Sequence, residues 1–131
     1  MAFWDLFSNR SKKEKLSHLK NLVVVMLADG KISKSELGGI AAVMSREGLT
    51  EDDLHRCMEN PESIDFVIPD SEEKKLQYIH DMVLLMMIDG HIDDDEFIVC
   101  KVTAEALGYR HEVVDAIILK TIADVKREMG I

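Results

Sequence analysis

Apolar residues recur along this chain with helical spacing, and turn residues interrupt them at regular places. A first apolar stretch, Leu16–Ala28, runs into Asp29-Gly30. Ile32 follows, then a second helical face through Leu37, Ile40, Ala41 and Met44 up to Gly48. The same order returns at Tyr78–Ile88, Asp89-Gly90 and Ile92, with a face of Phe97, Cys100, Ala104 and Leu107 up to Gly108. The offset that carries Val23 onto Val83 also carries Met26, Asp29, Gly30, Ile32, Glu36 and Gly48 onto identical residues at Met86, Asp89, Gly90, Ile92, Glu96 and Gly108, without a gap. The pattern predicts an all-α, internally duplicated bundle of about six to seven helices, built from two repeats that each contain a helix-turn-helix. It forms one domain over 1–131, with an N-terminal arm (1–10), a first repeat (15–60), a joining segment (61–69) and a second repeat (70–128).

Local chemistry explains the punctuation. Glycine takes the left-handed conformation that closes a helix. Ser33 and Asp93 are expected N-caps, with Glu36 and Glu96 reaching back to complete capping boxes. Ile32 with Leu37, and Ile92 with Phe97, are expected hydrophobic staples. Thr50 with Asp53 starts a further helix, and Arg110–His111 a last one with a poor cap. Ser11 with Glu14 is expected to open the first helix, Asp70 with Glu73 the fourth. Leu16–Ala28 and Tyr78–Ile88 are apolar nearly all round, so they should form the buried centre. Met26, Met82, Met86 and Met87 fill it. Ile64, Phe66, Val67 and Ile68 should pack the joining segment on the core, and Gly38-Gly39 should admit a close helix neighbour.

Composition narrows the function. A formal charge of −9 argues against nucleic-acid binding, which needs a basic footprint. Cys57 and Cys100 lack any ligand spacing and read as small buried hydrophobes in a reducing compartment. No leader segment is visible and no apolar run is long enough to span a bilayer, which points to a cytoplasmic protein. His18, His55, His80, His91 and His111 are scattered. Only His80 is assigned to an apolar helix, as a core histidine bonded to a neighbour. Phosphate-loop motifs and a nucleophile–histidine arrangement are absent, so no catalytic residue is assigned and the chain is expected not to be an enzyme.

The turns "DGKISKSE" and "DGHIDDDE" resemble the back half of an EF-hand loop. A true EF-hand is excluded, because Val25 and Leu27, or Leu85 and Met87, stand where oxygen ligands are required. What remains is Asp29, Glu36, Asp89, Asp93 and Glu96. Their plainer role is turn formation and capping. Their alternative role is a weak divalent-cation site for calcium, magnesium or manganese, common to both repeats if the fold brings the turns together. His91 would widen the choice of metal.

In the arm, Phe3, Trp4, Leu6 and Phe7 precede Arg10, Lys12, Lys13 and Lys15. These aromatics are expected to dock on the domain. A peripheral membrane or partner contact through Phe3, Trp4 and Phe7 is the alternative.

The motifs "LADGKISKSEL" and "MIDGHIDDDEF", one in each repeat, resemble the TerB family of tellurite-resistance proteins. They are also similar to a helical domain at the front of some membrane-associated DnaJ-like co-chaperones. The likeness covers roughly residues 15–128. It implies a duplicated fold of about seven helices and a cytoplasmic, stress-linked metal-sensing or scaffolding module. Its acidic positions fall on Asp29, Glu36, Asp89 and Glu96. Ser33, Lys34 and Ser35 depart from the three aspartates of the second copy. The expected function is thus a non-enzymatic interaction scaffold with an unidentified protein partner; divalent-cation binding is the alternative.

Overall fold

A computed structural model of the chain describes the backbone of residues 3–90 and 92–131, and side chains from Arg10 onward except at position 91. Six α-helices account for most of it: α1 (Phe3–Met26), α2 (Lys34–Glu47), α3 (Glu51–Glu59), α4 (Glu72–Met87), α5 (Asp94–Ala106) and α6 (His111–Met129). Short 3-10 turns occupy Leu27–Asp29 and Pro61–Ser63, and the described residues contain no strand. No helix among them is long and apolar enough to cross a membrane.

The centre is where the apolar pattern places it. Helix α1 packs against α2, α3, α4 and α5; helix α4 packs against α1, α2, α5 and α6. Leu19, Leu22, Val25 and Met26 of α1 meet Ile79, Met82, Val83 and Met86 of α4 in one buried cluster. Burial is not complete all round, since Val24 and Leu27 reach solvent. Cys57 and Cys100 are buried free thiols. Gly39 lets α4 approach: a Cβ there would stand 2.2 Å from Leu85 Cδ2. Gly38 faces open space.

Several boundaries differ from expectation. Helix α1 does not begin at Ser11 but at Phe3, because no glycine or proline interrupts the intervening residues. Helix α4 is capped by Ser71, whose hydroxyl accepts from Lys74 N–H at 3.1 Å, and not by Asp70. The joining segment is anchored by Ile64 and Pro69 and by Val67 N–H donating to Ser17 Oγ at 2.8 Å, while Phe66 and Ile68 remain exposed. Leu37 is exposed too, so the first expected staple leaves it in water.

Candidate functional site

Each acidic turn is built by local rules. Gly30 (φ 98°) and Gly90 (φ 92°) take the left-handed conformation, their N–H groups closing on Leu27 O and Met87 O. The first turn carries a full capping box. Glu36 N–H donates to Ser33 Oγ at 3.1 Å, and Ser33 N–H to Glu36 Oε1 at 2.9 Å.

The second turn departs from this. Asp93 Oδ1 accepts from both Asp95 and Glu96 N–H, so the cap stands, but no return bond from Glu96 completes a box. One aspartate oxygen serves two amides, and Glu96, at 3% exposed as buried as Glu36 at 4%, makes no capping bond.

Packing then brings the turns together. Ser33 Oγ donates to Asp89 Oδ2 at 2.9 Å, joining residues that belong to different halves of the chain. Asp29, Glu36, Asp89, Asp93 and Glu96 all line one cavity of about 490 Å³, with Lys31, Ser33 and Met86. All five carboxylates singled out from sequence therefore meet in one place, with one lysine among them. His91 lies outside the described residues.

The electrostatics at Glu96 are costly. Burial, and then the carboxylate of Glu36 within hydrogen-bonding reach, push its carboxyl up to about 8, with Asp29 and Asp93 adding to the effect. Glu96 Oε2 is buried with no hydrogen-bond partner. An unpartnered buried carboxylate oxygen is destabilising unless a proton or a cation answers it. The donor set is all oxygen, which suits hard divalent cations. Among the described residues no three His, Cys, Asp or Glu groups stand in ligating arrangement, so a cation would have to draw these side chains inward.

A second polar cluster escaped sequence reading. His18, and not His80, is the core histidine. Its Nε2 lies 2.7 Å from Asp81 Oδ2, and its ring stacks on Tyr78 with centroids 3.7 Å apart. Arg46 clamps the same carboxylate through both terminal nitrogens, at 2.9 and 2.6 Å. Burial lowers the affinity of His18 for a proton. Arg46 and His18 together hold Asp81 below the usual carboxylate range, despite its burial. His80 is half-buried and paired with Glu128 at 2.9 Å. The available signal was Asp81, a lone charge inside the apolar run "YIHDMVLLMM". This cluster ties α1, α2 and α4 together, and its groups satisfy one another.

The fold and this cavity define an all-α protein with an acidic cleft between two helix-joining turns. Comparison with protein-family models, with curated proteins and with solved structures found no match.

Proposed function

We propose that the protein is a non-enzymatic, TerB-like module that binds a divalent cation in the acidic cleft, with Asp29, Glu36, Asp89, Asp93 and Glu96 as the donor set. The observation that carries this reading is the buried, unpartnered Oε2 of Glu96, set in a cavity lined by four further carboxylates. Capping explains Glu36 and Asp93, but it does not explain why Glu96 gives up its capping bond for a repulsive site. Calcium, magnesium or manganese would fit an oxygen-only set. A scaffold role toward a protein partner is compatible with this reading, the cation then setting the charge of the surface presented.

An origin by duplication belongs to the same proposal. It is supported by helix starts that keep one constant offset, Lys34 with Asp94 and Glu51 with His111, and by the matching left-handed glycines.

Calorimetric titration of the chain with each metal tests the cation reading. At roughly tenfold excess over Kd, binding to the folded state adds about 1.4 kcal/mol, a rise in Tm of roughly 5 °C. No heat and no rise in Tm at millimolar metal would overturn it.

A further inference from the structure

We propose that the start of α1, together with Arg56 of α3, forms a docking surface for an anionic phospholipid bilayer, separate from the acidic cleft. A cavity of about 290 Å³ lies there, lined by Lys12, Lys13 and Arg56, with Asp65 the one acidic residue in the lining. The other described cavities have balanced or negative linings: Arg46 with Asp81, Lys120 with Asp124, and Lys31 among five carboxylates.

The cationic cavity is held in shape from below. Arg56 donates to Ser63 Oγ and to Ser63 O, at 3.0 and 2.9 Å, and Lys20 Nζ to Ile64 O at 3.0 Å. Lys12 pairs with Asp53 at 2.9 Å, whereas Lys13 is exposed and has no ion-pair partner among the described residues.

Basic residues are concentrated at the start of the chain, although Arg10 pairs with Asp70 and Lys12 with Asp53, and α3 carries Glu51, Asp52, Asp53 and Glu59 against Arg56. Residues 1–20 carry five Lys or Arg against two Asp or Glu, while the rest of the chain carries eleven against twenty-three. Lys13 and Asp29 are separated by a helix and a turn, roughly 24 Å at helical rise. That exceeds the Debye length at physiological ionic strength, about 8 Å, roughly threefold. The acidic cleft is therefore screened from a surface that the basic end touches. Helix α1 also runs back to Phe3, so its first turns carry the sequence Phe3-Trp4-Asp5-Leu6-Phe7. Phe7 precedes Lys13 by roughly 9 Å along the axis, and aromatic residues close to lysines in one helical segment suit an anionic interface. A bilayer answers both features, the aromatic sequence and the cationic cavity that follows it along the chain; the side chains of Phe3, Trp4 and Phe7 lie outside the described residues. A free phosphate answers only the second.

The test is co-sedimentation of the full chain with vesicles of phosphatidylcholine alone or mixed with phosphatidylglycerol. It is run with chelator present, so that cation bridging through the acidic cleft cannot contribute. The expected result is binding to the mixed vesicles only, weakened by salt, with a blue shift in the emission of Trp4, the sole tryptophan. Lys13→Gln should bind about fivefold more weakly, the loss of one near-surface cation, with unchanged circular dichroism. Equal binding to both vesicles, or none to either, would overturn the proposal. So would binding that requires added calcium, unshifted Trp4 emission on binding, or full displacement by inorganic phosphate at matched ionic strength. The last outcome would assign the cavity to a soluble phosphate.

Discussion

Single side chains set the energetics of the acidic cleft. Glu96 has its proton affinity raised by folding, from a carboxylate value of 4.5 to about 8. A raised folded-state value gives stability that is full below the unfolded value and is lost as pH climbs through the folded one. Stability from this group therefore declines between about pH 4.5 and pH 8. Glu96→Gln should remove that decline, leaving a variant with higher Tm than the wild type at pH 8.5. It should also abolish the calorimetric response to cations. Thermal melts of both proteins across pH check the first effect. Asp81 belongs to the opposite case, a buried carboxylate with all its partners present. Asp81→Asn strands Arg46 and His18 and should cost about 2–3 kcal/mol in denaturant unfolding. That is below the full cost of breaking a buried pair, because Arg46 can turn to solvent.

At the scale of elements, the helix ends are locally encoded. Gly30, Gly48, Gly90 and Gly108 end or follow helices with positive φ, as their placement after apolar runs indicates. Ser33, Thr50 and Asp93 cap as expected. Ser33 does more than cap, since its hydroxyl also donates to Asp89 in the other turn. Ser33→Ala should cost about 1–2 kcal/mol, a cap plus a bridging bond. Thr50→Ala, which loses a cap within its own capping box, should stay near 1 kcal/mol. Urea unfolding of the two variants measures the difference. The misplaced starts have different reasons. Ser11-Glu14 and Asp70-Glu73 match the capping pattern, yet α1 continues through the first and Ser71 takes over the second. A capping motif has no effect where the preceding residues are also helical, as before Ser11; at α4 the boundary shifts by one residue because the Ser71 hydroxyl takes the Lys74 N–H.

The whole molecule depends on two helices from different halves burying each other. Alone, residues 1–68 would lose the α4 and α5 packing that helps bury Leu19, Leu22, Val25 and Met26 in the shared cluster of the intact chain. This half should therefore show no cooperative urea transition by circular dichroism, while the full chain unfolds in one step. Cooperative unfolding of the fragment would contradict the shared core.

Sequence by itself determined the elements, because helix periodicity, glycine turns and caps are decided within a few residues of one another. It also identified the five carboxylates. It could not determine that Glu96 abandons its capping bond, that Ser33 reaches Asp89, or that His18, Arg46 and Asp81 share one charge. Those contacts join residues 35 to 63 apart. They depend on how α1, α2, α4 and α5 pack. Only the packed structure places the two acidic turns around a single cavity, where desolvation and mutual repulsion give Glu96 its unusual proton affinity.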